Sequence, residues 1–378
     1  MFPINHSQKP TEPCISWVKN KLGTGKISIQ PLPEHAHNQK NLYTITNSST
    51  EKSYLLIETV DNTEACLKFI ALAKQLKKND ILAPSIYFQQ ISKNRCWIIT
   101  THFGYETALD WLSKPHKADQ RKQLINHCLY EIYRFQNQKI DYPVSNYNSL
   151  NRLAHMNLAD EFFIQKLLKA TNTEYNKEAL AFIKQHINEQ IEKIPTGLIH
   201  FDFHSANLML LPKRTLGILD FQDMAIGPIN YDLASLLTDH YYHHDEQEIN
   251  QYIQQYYQKH LTNEQKKSLN EATFKESTML VAVQRHLKNI GIFTRLFFNN
   301  KYHYIKHIPN MMHRLEHLCQ NHHTLKYLPN ILWSKKMKNL YINGITQHCT
   351  EQNCENIIDD LLTTVHTQKP KNTYIETT

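Results

Sequence analysis

Three oxygen-bearing side chains stand at short intervals in one part of this sequence: Asp202, Asn207 five residues later, and Asp220 thirteen residues after that. Between the last two, the apolar runs Leu208-Met209-Leu210-Leu211 and Leu216-Gly217-Ile218-Leu219 flank Pro212-Lys213-Arg214-Thr215, which predicts a β-hairpin with a four-residue turn. Pairing Leu211 with Leu216 sets Asn207 directly across from Asp220, with Cβ atoms about 5 Å apart. A carboxylate and an amide oxygen side by side are hard donors that suit Mg²⁺, an ion that keeps its other positions for water and phosphate oxygens. Asp202 ends the apolar strand Leu198-Ile199-His200, and the loop after it is long enough to bring its carboxylate back beside such an ion without ligating it. The chemistry on offer is one group that orients a nucleophile and two that hold a metal.

The run His200-Phe201-Asp202-Phe203-His204-Ser205-Ala206-Asn207 has the H-x-D-x-x-x-x-N spacing of kinase catalytic loops, and Asp220-Phe221-Gln222 takes the place of their metal-binding D-F-G. Turn chemistry also favours Asp and Asn at loop ends, but it does not require this joint spacing. Together with Leu208-Met209, Gly217–Asp223 and Gly227-Pro228-Ile229-Asn230-Tyr231-Asp232-Leu233-Ala234-Ser235-Leu236-Leu237, the run resembles the aminoglycoside phosphotransferase/choline kinase-like superfamily. Within it the chain is most similar to bacterial anomeric kinases of N-acetylmuramate and N-acetylglucosamine, and Val283–Leu296 resembles their long C-terminal helix.

The resemblance runs from about residue 26 to about 320, with sharp motifs between 197 and 296. It implies an α+β, two-lobed protein-kinase-like fold with a small strand-rich N-lobe and a larger, mainly helical C-lobe. It further implies ATP as co-substrate, Mg²⁺ as cofactor, and phosphoryl transfer to a small-molecule hydroxyl, the anomeric hydroxyl of an amino sugar in cell-wall recycling. Carried onto this chain, Asp202 is the catalytic carboxylate, Asn207 and Asp220 hold the metal, and His200 and Asp232 scaffold the loop. Asp232 has N-capping of the following helix as its other reading. His204, Gln222, Asp223 and Arg285 are candidates for contact with the acceptor, and an ion pair is the alternative for Arg285. An aminoglycoside- or choline-type acceptor, or a non-catalytic binding protein that keeps the kinase fold, remain the alternatives, because acceptor choice lies outside the catalytic loop.

The first part of the chain departs from the pattern. Protein kinases hold the α- and β-phosphates with a lysine on the third strand, and Tyr54-Leu55-Leu56-Ile57-Glu58 has none. Pro33–Asn41, in the position of the phosphate-covering loop, contains no Gly, Ser or Arg; its Lys40 is the candidate for a nucleotide phosphate, or else a solvated lysine before a strand. Gly23-Thr24-Gly25-Lys26 is not a Walker A loop, which needs four residues between its glycines and Ser or Thr after the Lys. The connection Thr100-Thr101-His102-Phe103-Gly104 lacks the acidic pair of relatives, so adenine contacts there would come from backbone.

The elements that must carry these groups follow from periodicity. Short β-branched and aromatic runs at 26–30, 42–45, 54–57 and 96–100 read as strands, with one helix between the last two on Leu67, Ile70, Ala71, Ala73 and Leu76. From about 119 the period is helical, with Leu124, Cys128, Ile132 and Phe135 on one face and Leu180, Ile183, Ile187 and Ile191 on another. The expected organisation is an N-terminal segment over 1–25, the N-lobe over 26–102, the C-lobe over 103–330 and a polar extension over 331–378 whose last ten residues fray.

Composition narrows the rest. The 378 residues carry a net charge of +7 scattered among apolar and acidic neighbours, a solvated surface rather than a nucleic-acid interface. No apolar run approaches the roughly 18 residues of a membrane span, and the polar start MFPINHSQKP has no signal-peptide core. Seven dispersed cysteines read as free thiols in a reducing compartment, hence a cytoplasmic protein. Neither His348-Cys349 with Cys354 nor Asp239-His240-Tyr241-Tyr242-His243-His244-Asp245 has zinc-ligand spacing. The expected partners are ATP and a small acceptor, with no nucleic acid, membrane or stable protein partner.

Overall fold

A computed structural model of the chain describes residues 9–23, 25–32, 40–352, 358 and 365. In chain order the first elements are α1 (Glu12–Leu22), β1 (Ile27–Pro31), β2 (Lys40–Asn47), β3 (Lys52–Val60), α2 (Thr63–Lys78), β4 (Ile86–Ile91) and β5 (Arg95–Thr101). They are followed by α3 (Ala108–Leu112), α4 (Ala118–Gln136), β6 (Ser145–Asn146), α5 (Ser149–Leu158) with a π-helical continuation over Ala159–Leu167, α6 (Lys177–Glu192) and β7 (Thr196–Ile199). Then come β8 (Leu208–Leu210), β9 (Leu216–Ile218), β10 (Ala225–Pro228), α7 (Tyr231–Leu237), α8 (Glu246–His260), α9 (Asn263–Ser268), α10 (Glu271–Phe298), α11 (Ile308–Cys319), α12 (Leu328–Trp333) and α13 (Lys335–Gln352). The chain divides into two compact units: one runs through Thr107 and takes back 138–143 and Asn207–Asp223, and the other holds Ala108–Asn137, Val144–Ala206 and everything from Met224.

The first unit is built on an antiparallel sheet in the order β1-β2-β3-β5-β4. Successive strand residues face opposite sides, and here both sides are apolar. Tyr43, Ile45, Leu56, Trp97 and Ile99 pack on Cys14, Trp17 and Val18 of α1. Ile57, Cys96 and Ile98 pack on Cys66 and Ile70 of α2. The inward stripe of α2 is Cys66, Ile70, Ala73 and Leu76, with Leu72; Leu67, expected on that stripe, is 49% exposed because Cys66 takes its place. Cys66 and Cys96, thirty residues apart in sequence, are brought side by side with Cα atoms 6.6 Å apart, since α2 lies over β5. Cys14, Cys128, Cys319 and Cys349 are free and buried, and Cys354 lies outside the described residues.

The second unit is organised around α10, which packs against α5, α6, α7, α8 and α11. Its buried residues occupy nearly every face, from Phe274 through Val281, Arg285 and Lys288 to Phe297, as a helix in the middle of a core requires. Close approach needs a small residue at one point: a Cβ on Gly291 would lie 2.3 Å from the Leu158 carbonyl carbon. The faces expected on α4 and α6 are the buried ones. The mixed composition after 331 resolves into an amphipathic helix, α13, which buries Met337, Tyr341, Ile345 and Cys349 and sends the Tyr341 hydroxyl to the Ile305 carbonyl at 2.8 Å. The last ten residues lie outside the described part. Among the described residues no helix is long and apolar enough to cross a membrane. A small sheet, β6-β10-β7, delivers the chain to His200.

Candidate active site

In the helical unit β7 ends at Ile199, and the next two peptides are gripped by one carboxylate. Asp232 Oδ2 accepts the His200 N–H at 2.7 Å and its Oδ1 accepts the Phe201 N–H at 3.1 Å. Asp232 is the second residue of α7, whose N-cap is Asn230, so its side chain serves the preceding loop instead of its own helix. Burial is the largest influence on it and raises its carboxyl above the ordinary value. His200 is fully buried between the edges of Phe135 and Phe203, at centroid distances of 5.4 and 5.6 Å. These contacts fix the loop from which Asp202 projects.

The Asp202 carboxylate is about one-third exposed (35%) and has the Lys288 ammonium 3.7 Å from its Oδ1. Burial works to raise its carboxyl, but the charges of Lys288 and Arg285, then of His204 and His200, outweigh this and hold it below the ordinary value. Arg285, singled out in the sequence as a possible acceptor contact or ion pair, donates from Nη1 to the Phe201 carbonyl at 2.9 Å and lies over the Tyr231 ring. His204 follows in a tight turn, its N–H donating to the Asp202 carbonyl at 3.1 Å, and its ring stands 5.4 Å from that of Tyr241. His204, Asp239, Arg285 and Asn289 line one small cavity, and Asp239 also accepts the Ser205 hydroxyl.

The hairpin belongs to the sheet-bearing unit, and its register corrects the one expected. Leu208 pairs with Ile218, Met209 with Gly217 and Leu210 with Leu216, and Leu211 N–H closes onto the Thr215 carbonyl. The turn is therefore three residues, Pro212–Arg214, made possible by positive φ at both Lys213 (61°) and Arg214 (58°). A one-residue shift changes what lies opposite every position, so Asn207 accepts the Leu219 N–H through its carbonyl, and Asp220 stands one residue beyond the ladder. Asp220 itself has φ 59°, a conformation Asp tolerates better than most residues. Gln222 Nε2 donates to Asp220 Oδ1 at 2.6 Å, which places Gln222 on the candidate metal ligand itself. Phe221 stacks on Phe69 of α2 at 5.1 Å, pinning the residue next to Asp220. Asp223 ends the same short helical turn and is exposed.

Asn207 and Asp220 supply one amide and one carboxylate oxygen at the same end of this hairpin, and Asp220 is exposed. That set fits Mg²⁺, which takes one or two protein oxygens and retains water and phosphate. It does not fit zinc or a thiolate-loving metal. Among the described residues there is no cluster of three or more His, Cys, Asp or Glu side chains able to hold a metal, the 239–245 stretch included.

Comparison with known proteins supplies the family. The family described as "Phosphotransferase enzyme family" matches residues 28–266. The chain belongs to that family. It is 26% identical over 244 residues to the N-acetylmuramate/N-acetylglucosamine kinase of Pseudomonas putida, covering 65% of this chain and 70% of that protein. It is 28% identical over 239 residues to the kinase of the same name from Neisseria meningitidis serogroup B, covering 62% and 71%. A solved aminoglycoside phosphotransferase with ADP bound shares the fold, with a TM-score of 0.56 at 14% identity over 82% of this chain and 99% of that one. The α+β, protein-kinase-like fold expected from the motifs is thus found.

β2 and β3 of this phosphotransferase put Glu58 and Lys40 on opposite faces of the sheet. Glu58 lies on the α1 face with Leu56 and is a core group: it accepts hydrogen bonds from Trp97 Nε1 (3.0 Å), Tyr43 hydroxyl (3.3 Å) and Asn41 Nδ2 (3.3 Å), with Arg95 Nε 3.7 Å away. Lys40 pairs across the ladder with Thr59, two positions from the Leu42–Ile57 pair. It therefore shares the α2 face with Leu42 and Ile57. Residues 33–39 of the Pro33–Asn41 run lie outside the described residues, as does Thr24 of the Gly23–Lys26 run.

Proposed function

We propose that this phosphotransferase is an ATP- and Mg²⁺-dependent kinase that phosphorylates the anomeric hydroxyl of N-acetylmuramate or N-acetylglucosamine, a cytoplasmic step in cell-wall sugar recycling. The names of the two bacterial relatives support the acceptor class. The observation that carries the chemistry is the Asp202 carboxylate: partly exposed, on a loop clamped through its backbone, and held in its ionised form by neighbouring cations.

Asp202 accepts a hydrogen bond from the acceptor hydroxyl and aims its oxygen at the γ-phosphorus. As the new P–O bond forms and the bond to ADP breaks, the hydroxyl proton passes to that carboxylate. A carboxylate held below its ordinary value is a weak base, and an anomeric hydroxyl, more acidic than an ordinary alcohol, needs no stronger one. Asn207 and Asp220 would hold Mg²⁺, which would supply positive charge to offset that developing on the transferred phosphoryl group. Gln222 steadies Asp220 by donating to Oδ1. Asp232, with His200 packed beside it, keeps the loop in place, and His204 and Asp223 remain the candidates for acceptor hydroxyls.

Lys40 is proposed to take the part of the missing third-strand lysine, because its register puts it across from Thr59 on the α2 face of the sheet. Lys40→Ala should raise the KM for ATP roughly tenfold or more, the worth of one charged hydrogen bond to phosphate. The KM for the acceptor should stay level; steady-state kinetics with each substrate varied checks this, and an unchanged KM for ATP removes Lys40 from the site.

The pH profile has a defined sign. The working form of Asp202 is the deprotonated one, and its pKa is depressed, so kcat/KM should hold level as pH falls through the histidine range, near about 6.5. It should decline only below the ordinary carboxylate range. A decline centred in the histidine range would transfer the base role to an imidazole.

The acceptor is tested by ADP release from Mg·ATP with N-acetylmuramate and N-acetylglucosamine, set against choline, ethanolamine and an aminoglycoside. Turnover with an amino sugar alone is the expected result. Turnover only with the others contradicts the proposal.

A further inference from the structure

We propose that Lys288 is a positioning residue for phosphoryl transfer, holding the Asp202 carboxylate from α10 while Asp232 and Arg285 hold the backbone of Phe201 beside it. This rests on the role of Asp202 proposed above.

Lysine is rarely buried unless paired, and the Lys288 side chain is only 4% exposed. Among the described residues its ammonium meets groups around the loop. Nζ lies 3.7 Å from Asp202 Oδ1, donates to the Tyr231 hydroxyl at 3.4 Å, and sits 3.9 Å over the Phe201 ring. Phe201 has φ 82°, a left-handed backbone that a non-glycine residue keeps only where its surroundings over-determine it. Here they do. Its N–H goes to Asp232, its carbonyl takes Arg285, and its ring stacks on Tyr231 at 5.2 Å and meets Tyr147 edge-on at 4.9 Å.

Each grip has a different target. Asp232 and Arg285 hold peptide groups, whereas Lys288 reaches the carboxylate. Arg285 and Lys288 stand three residues apart, on one face of the helix. Removing Lys288 leaves both backbone grips intact but releases the carboxylate rotamer, so the loss should fall on turnover. A misplacement of about 1 Å at a reacting group can lower the rate about 100-fold.

The test is the kinetics of the full-length protein with N-acetylglucosamine, comparing wild type, Lys288→Met and Lys288→Arg, each also in an Asp202→Asn background. Lys288→Met should lower kcat about 100-fold with the KM for ATP unchanged, and Lys288→Arg should restore part of it. In the Asp202→Asn background the same change should alter kcat less than about twofold, because the group it positions is already disabled. A Lys288→Met enzyme within about twofold of wild type overturns the proposal. So does a loss of equal size in both backgrounds, which marks a packing role. If Lys288→Met does not fold, Lys288→Gln, which keeps a donor for Tyr231, carries the comparison. Wild-type turnover tests the proposed acceptor by itself. The variant-to-wild-type ratio is read equally on acceptor-independent ATP hydrolysis, so a wrong acceptor and a wrong role for Lys288 give different results.

Discussion

Asp202→Ala should lower kcat about 1,000-fold, within the range that a positioned acid or base contributes, and leave the affinity for Mg·ATP within about a factor of two. The separation follows from the placement of the groups. Asp202 is the residue proposed to meet the acceptor, while the candidate metal ligands Asn207 and Asp220 lie on the hairpin of the sheet-bearing unit. The alanine variant also strands the Lys288 ammonium, and a buried charge without its partner destabilises strongly. Asp202→Asn is therefore the companion variant, since it keeps the shape and an oxygen for the ammonium. Both should lose turnover, and calorimetric titration with ATP should show binding retained. An Asp202→Ala enzyme within tenfold of wild type would remove the carboxylate from the mechanism.

Asp220→Ala is expected to abolish Mg²⁺-dependent stabilisation by ATP and to lower turnover by at least about 100-fold, the scale on which loss of a charge-stabilising group acts. Two features of this position shape the experiment. Gln222 donates to Asp220 Oδ1, so alanine also frees that amide, but both side chains face solvent and stability should change little. The backbone is left-handed, where alanine is strained by about 1–2 kcal/mol and Asn is tolerated. Asp220→Asn thus removes the charge without the strain. Thermal denaturation with ATP, with and without Mg²⁺, reads the outcome: the ATP-induced rise in Tm should depend on Mg²⁺ in the wild type and not in either variant. An undiminished Mg²⁺-dependent rise in Asp220→Ala would place the metal elsewhere, and a rise without turnover in the wild type would favour a binding protein that keeps the kinase fold.

The elements that carry the candidate residues were legible because the spacing is tied to a strand feeding a loop and a hairpin. The hairpin itself could be read, but its register could not. Pro212–Thr215 looks like a four-residue turn, and only the left-handed backbone at Lys213 and Arg214 makes it three, which puts Leu219 instead of Asp220 beside Asn207. The faces of α4 and α6 were readable from apolar period alone. On α2 the period pointed to Leu67, but Cys66, packed on β5, is the inward residue. β4 went unread although Ile86-Tyr87-Phe88 is a strand-like run, since it is an edge strand with Tyr87 half exposed. Lys288 went unread in the sequence, because only its burial in α10 and the place of its ammonium beside Asp202 set it apart. Glu58 at the end of the third strand is a core acceptor for Trp97 and Tyr43, a role that only the packing of the strands reveals.

The most direct test of the central claim is phosphorus NMR of the purified protein with Mg·ATP and N-acetylmuramate or N-acetylglucosamine, beside samples without acceptor and with Asp202→Ala. Anomeric transfer gives a new sugar 1-phosphate resonance that grows with ADP and is absent from both controls. ATP consumed with phosphate at any other sugar position would contradict the anomeric assignment, and no acceptor-dependent signal while ATP still binds would contradict the amino-sugar acceptors altogether.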